Sequence, residues 1–250
     1  MQKLLGYTRR AVESYRMLED GDRVAVGVSG GKDSVALLTA LAKLRDFIGI
    51  RYELTAVTLD PGFGGVETDY SPVAELCASL GVPYELRWTQ IGKIVFDIRH
   101  EPNPCALCAK MRRGALHNAA RELGCNKVAL GHHNDDAIET FLMNLYREGR
   151  IGCFQPVTWL SRKELTVIRP LVFAPERDIA SAVKRNGLPV VKSRCPADGN
   201  TAREEMKQFI LETEKRERGF KQRIFGAMTR GLLDWVPIEC RSGAPEENGK

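Results

Sequence analysis

The stretch "RVAVGVSGGKDSVALL", Arg23 to Leu38, constrains this chain more than any other. A β-branched run at Val24–Val28 reads as a strand, and Ser34 to Phe47 reads as a helix. Between them stands a Ser-Gly-Gly turn. Gly30 and Gly31 can take positive φ and let backbone N–H groups approach a phosphate. The unpaired N–H groups and the positive dipole end of the next helix add to that attraction. Ser29 and Ser34 supply hydroxyls, Lys32 a point charge and Asp33 a carboxylate. A tight βα turn with a solvated lysine is the plainer alternative. A Walker A loop is excluded: Gly27 stands one residue too close to Gly31, and Asp33 replaces the hydroxyl residue.

The alternation continues. Strands are expected at Leu54–Leu59, Pro83–Trp88, Lys127–Leu130 and Thr166–Leu171, with a further one at "LPVV", Leu188–Val191. Helices are expected at Leu4–Leu18, Ser71–Leu80, Cys108–Leu123, Asp135–Arg147, Pro175–Asn186 and Thr201–Arg218. This order predicts an α/β fold, a parallel sheet covered by helices on both faces. The division expected is an N-terminal helical segment at 1–22, a main domain at 23–218 and a C-terminal extension at 219–250 that ends in a disordered "RSGAPEENGK". No run of eighteen apolar residues and no secretory h-region occurs, so a cytoplasmic, non-membrane protein is expected.

The chain carries seven cysteines, an odd number that argues against a disulfide framework. Cys105 and Cys108, in "PNPCALCAKMRRG", form a C-x-x-C pair at a helix start, where the dipole favours a thiolate. Cys195, in "VVKSRCPADG", is a third candidate. Three thiolates suit a [4Fe–4S] cluster with one open iron. Zinc would have to recruit a histidine such as His100 or His117, and a plain redox pair is a further alternative. Cys77 and Cys125 read as small core hydrophobes, with Cys153 in a loop and Cys240 in the tail.

"GHHNDD" follows the fourth strand and points into the same crevice as the glycine loop. Gly131, His132, Asp135 and Asp136 are candidates there for nucleotide, Mg²⁺ or proton handling, with Asn134 or Asp135 as a helix cap and His133 structural. Asp60 ends the second strand, as a catalytic acid or a turn residue. Arg112 lies one turn after Cys108, either beside the site or on a solvated face. A net charge of +5 permits a polyanionic partner, and Lys192 and Arg194 flank Cys195 as phosphate contacts.

"SGGKDS" after a V-x-V-x-V strand resembles the pyrophosphate loop of the PP-loop ATPases. With "LDPGF" (Leu59–Phe63), "PCALCAKMRRG", "LGHHNDDAIET" (Leu130–Thr140), "VIRPL" (Val167–Leu171) and Cys195, the chain is similar to the TtcA/TtuA tRNA thiolases, on the 2-thiocytidine branch, over about four fifths of its length. That resemblance implies a Rossmann-like adenine nucleotide α-hydrolase fold. It implies ATP and Mg²⁺ at Ser29–Ser34, Gly131, His132 and Asp135. It also implies a [4Fe–4S] cluster on Cys105, Cys108 and Cys195, catalytic roles for Asp60, Arg112, Asp136, Cys105 and Cys195, and adenylation of a pyrimidine 2-oxo group before sulfur replaces it. A persulfide on Cys105 or Cys195 is the route without a cluster. Implied partners are tRNA and a sulfur donor such as a cysteine desulfurase, with a homodimer allowed. Two departures stand out: Cys195 lacks a second cysteine at Lys192, and no cysteine precedes Cys77, which argues against the thiouridine branch. A PP-loop amidotransferase, a lysidine-type ligase and an iron–sulfur or zinc regulator on the same fold are the rival functions.

Overall fold

The computed structural model describes residues 1–99, 104–197, 202–232 and Trp235. His100, Cys240 and the "RSGAPEENGK" tail lie outside the described residues. In chain order the elements are α1 (Gln2–Ser14), β1 (Asp22–Gly27), α2 (Lys32–Leu44), β2 (Tyr52–Asp60), α3 (Ser71–Ser79), β3 (Tyr84–Trp88) and α4 (Pro104–Glu122). Then come β4 (Lys127–Ala129), α5 (Asn134–Glu148), β5 (Val157–Leu160), β6 (Leu165–Ile168), α6 (Glu176–Arg185), α7 (Ala202–Arg216) and α8 (Phe220–Ala227).

One sheet runs in the order β3-β2-β1-β4-β6-β5. All neighbours are parallel except β5, which pairs antiparallel with β6 and closes that edge. The period-2 geometry of a strand divides its side chains between two cores. Val24, Val26, Leu54, Ala56, Ala129 and Ile168 face the larger core, built with α1, α2, α5 and α6. Ala25, Val57, Val128, Leu165 and Val167 face the other, closed by Leu116, Ala119 and Ala120 of α4. Both faces are covered, which is why the strands read as near-continuous apolar runs. A third apolar cluster of Ile91, Val95 and Cys108, with Phe63, Phe96 and Met111 against it, lies under the first turns of α4.

Three expectations change. The chain at Leu188–Val191 forms no strand; the Val191 N–H instead donates to the Gly30 carbonyl at 2.9 Å. Helix α1 stops at Ser14 rather than Leu18, because Arg16 turns to φ +46° and sends Met17 and Leu18 into the core. The cap of α5 is His133, not Asn134 or Asp135. Its Nδ1 accepts from the Asp136 N–H at 3.3 Å, while the Asp136 carboxylate accepts from the His133 N–H at 2.9 Å, a reciprocal box that satisfies two end donors. Strand β5 and helix α8 were not foreseen. Among the described residues no helix is long and apolar enough to cross a membrane.

Candidate active site

The strand order reverses direction at β1: the chain leaves β1 for β2 on one side and returns to β4 on the other. The loops after β1 and β4 therefore splay apart at their carboxyl ends, the usual ligand crevice of such a sheet. The glycine loop is held by its own serines. The Ser29 N–H donates to Ser34 Oγ at 3.1 Å, the Gly31 N–H to Ser29 Oγ at 3.3 Å, and the Ser34 hydroxyl to the Gly31 carbonyl at 2.8 Å. Gly30 adopts φ +81°, and a Cβ there would stand 2.8 Å from Val191 Cβ. Glycine is needed on both counts. Gly131 packs its backbone against the start of α2, where a Cβ would lie 3.2 Å from the Asp33 carbonyl carbon. The two segments thus meet at the base of the crevice, where Gly131 abuts the first turn of α2.

Around them runs a network of charge. Lys32 Nζ lies 3.0 Å from Asp33 Oδ2 and 3.0 Å from Glu176 Oε1. Burial weakens the charged form of Lys32, but Asp33 and Glu176 outweigh it and raise its pKa. Asp33 Oδ1 is buried without a hydrogen-bond partner, approached at 3.7 Å by His133 Nε2. An orphaned carboxylate oxygen beside a phosphate cradle suits a Mg²⁺ ion carried by a triphosphate. Asp136 Oδ1 accepts from Arg203 at 3.0 Å. Asp135 is buried and bound at both oxygens, by Lys221 Nζ at 2.6 Å and by the Glu176 N–H at 2.7 Å. It ties three helices together. His132 stacks on Phe154 at 4.9 Å, and burial followed by Arg169 lowers its pKa to about 4, so the ring is neutral at physiological pH.

Asp60 also spends its oxygens on the fold. Oδ1 accepts from the Gly62 N–H at 2.8 Å and Oδ2 from the Thr68 N–H at 3.1 Å, shaping the loop after β2.

The predicted cysteines lie on two segments, the start of α4 and the stretch after Val191. Helix α4 begins at Pro104, four residues earlier than the pattern suggested, so Cys105 and Cys108 both lie in its first turns. Cys108 is buried in the third apolar cluster, and Cys105 is exposed. Burial pushes the Cys108 thiol up, the Arg112 charge pulls it part of the way back, and the Cys195 and Cys105 thiols push it up again through space. Cys195 reaches that range because the Val191–Gly30 hydrogen bond lays its segment across the glycine loop. Arg112, half-buried, also acts through space on Tyr70, as does Asp60.

Among the described residues no group of three or more His, Cys, Asp or Glu side chains is arranged to hold a metal ion. His117 sits among Arg113, Lys163 and Arg169, whose charges lower its pKa after burial does, and that is a poor setting for zinc. The three thiols at electrostatic range fit a cluster better. Cys77 and Cys125 are buried core residues, as expected, and Cys153 donates to the Ala137 carbonyl at 3.4 Å.

Sequence reasoning missed Glu176, Lys207, Arg169 and Arg203. An acid in the first turn of a helix after a strand was the one available sign for Glu176. The two basic helix residues carried no sign at all.

Residues 6–214 match the PP-loop domain family. The tRNA-cytidine(32) 2-sulfurtransferase of Syntrophotalea carbinolica is 39% identical over 240 residues, covering 93% of this chain and 92% of that protein. The protein of the same description from Geobacter sulfurreducens is also 39% identical, with 93% of each covered. Among solved structures, the U34-tRNA thiolase NcsA from Methanococcus maripaludis, with its [4Fe–4S] cluster, superposes with a TM-score of 0.75 at 26% identity, covering 92% of this chain and 78% of NcsA. Glycine loop, switch-point crevice and sequence agree: the chain belongs to the PP-loop domain family, in its TtcA/TtuA group.

Proposed function

We propose that this protein is an ATP-dependent tRNA sulfurtransferase that replaces the 2-oxo group of a cytidine with sulfur. The observation that supports the reading is the Val191–Gly30 hydrogen bond, which lays the segment leading to Cys195 against the glycine loop, with the Cys195 thiol within electrostatic range of Cys108. Curated relatives at 39% identity share the description.

The Ser29–Ser34 loop, the N-terminus of α2 and Lys32 hold the triphosphate, and Asp33 Oδ1 holds Mg²⁺. The pyrimidine 2-oxygen attacks the α-phosphorus, and pyrophosphate leaves. Lys32 offsets the charge that develops on the departing oxygens. Hydrosulfide then attacks C2, the C2–O bond breaks, AMP departs with the oxygen, and loss of the sulfur's proton leaves the 2-thio group. A [4Fe–4S] cluster held by Cys105, Cys108 and Cys195 supplies, when bound, an iron without a protein ligand at which sulfur is presented. The Arg112 charge partly offsets the burial that holds the Cys108 thiol protonated, and so eases its conversion to a ligand thiolate. The sulfur comes from a donor such as a cysteine desulfurase, whose persulfide gives hydrosulfide once a thiol reductant has supplied two electrons, and the setting is the cytoplasm.

The test is anaerobic purification, an iron and sulfide assay, and measurement of ATP-dependent AMP release with bulk tRNA. About four irons per chain, AMP release and 2-thiocytidine in the nucleoside digest are expected. Iron without AMP release would mark a regulator, and AMP release without thiolation a ligase. Cys195→Ser should lose iron and thiolation while still binding ATP; unchanged iron content removes Cys195 from the ligands.

A further inference from the structure

Glu176 opens α6, directly across the crevice from the glycine loop, and its carboxylate bridges two ammonium groups. Lys32 Nζ is 3.0 Å from Oε1, and Lys207 Nζ, from α7, is 2.9 Å from each oxygen. The backbone of the same residue is fixed independently, through its N–H to Asp135 Oδ2 at 2.7 Å. Asp135 in turn is gripped by Lys221 of α8. Glu176 therefore has its main chain anchored on one side and its side chain clamped on the other. Burial would raise its pKa, yet Lys207 and Lys32 together hold it near 2, so it stays ionised.

The effect on Lys32 is the point of interest. A lysine ends in a compact charge on a flexible four-carbon stem and does not aim itself. Asp33, its immediate neighbour, moves with the same helix start and gives no outside reference. Glu176 comes from a separate element and gives one.

We propose that Glu176, backed by Lys207, is the positioning residue that keeps the Lys32 ammonium aimed for the triphosphate. Neither Glu176 nor Lys207 touches the reacting atoms; both act through Lys32. The inference rests on the ATP reading of the glycine loop given above.

The rival is a structural latch that joins α6 to α7 and α2 without bearing on the nucleotide. A double-substitution cycle separates them. Equilibrium ATP titration of the full chain, without tRNA, is the readout. Glu176→Gln keeps the shape and removes the charge. It should weaken ATP binding about tenfold in the parent chain and less than about twofold in a Lys32→Gln chain. Lys207→Met should weaken binding by a smaller factor, and Lys207→Arg, which can still pair with Glu176, should restore it. Equal losses in both backgrounds, or no loss in the parent, would overturn the proposal. Should Glu176→Gln fail to fold, the Lys207→Met and Lys207→Arg pair, each combined with Lys32→Gln, decides the same question. An unsubstituted chain that binds no ATP would instead strike the function proposed above, a result easily told from these.

Discussion

Glu139 lies on the inner side of α5 with 5% of its surface exposed, and its carboxyl is pushed up to about 7. Burial is the larger cause and Asp136 the second, against Arg203 and Lys207. An acid whose folded pKa is raised binds its proton more tightly in the folded state. Stability is then greatest below the unfolded value and falls as pH rises from about 4.5 to about 7, by up to about 3 kcal/mol. Glu139→Gln should accordingly melt higher than the parent at about pH 8, the gap closing toward pH 5; a gap that is constant with pH would contradict this. The same region shows what a sequence can disclose about single residues. Ser29 to Ser34 were legible because a positive-φ glycine, a hydroxyl and a helix start are local codes. The roles of Asp135 were not, because its partners Glu176 and Lys221 stand 41 and 86 positions away. Asp60 ends β2 as expected, yet nothing in "LDPGF" announced that both oxygens would be taken by the N–H groups of Gly62 and Thr68.

The misread elements share a cause: their conformation is set by a partner rather than by their own pattern. Val157–Leu160 is a four-residue edge strand joined to β6 through Ser161–Lys163, with Glu164 at φ +45°. The Asn-Gly or Asp-Gly signal that usually marks such a reversal is missing. Conversely, "LPVV" has β-branched residues but joins no strand; its Val191 N–H goes to a loop carbonyl. That bond can be removed selectively. Val191→Pro deletes the donor, and iron content per chain and thiolation should fall severalfold, with ATP affinity changing far less. Iron retained at the parent level would show that the Cys195 segment is held by something else.

For the whole molecule, strand–helix alternation was enough to foresee the parallel sheet, its two covered faces and the crevice between the β1 and β4 loops. The antiparallel β5 escaped, since a lone hairpin partner leaves the alternation intact. The modest net charge of +5 conceals its distribution. Arg113, Lys163 and Arg169 share one field around His117, and Lys192 and Arg194 are exposed beside Cys195. If the last two contact RNA phosphates, Lys192→Ala combined with Arg194→Ala should lower the slope of log affinity for tRNA against log salt by about 1.4 to 1.8. An unchanged slope would place the RNA elsewhere. The bond between Gly30 and Val191 has one more outcome, and it concerns timing. An adenylated pyrimidine is open to water from the moment it forms, and each hydrolysed copy wastes a nucleotide. In the proposed reaction the wall of the activating crevice is also the mooring of the Cys195 segment, so the activated pyrimidine would form already facing its nucleophile, and the interval in which water could intercept it would be small.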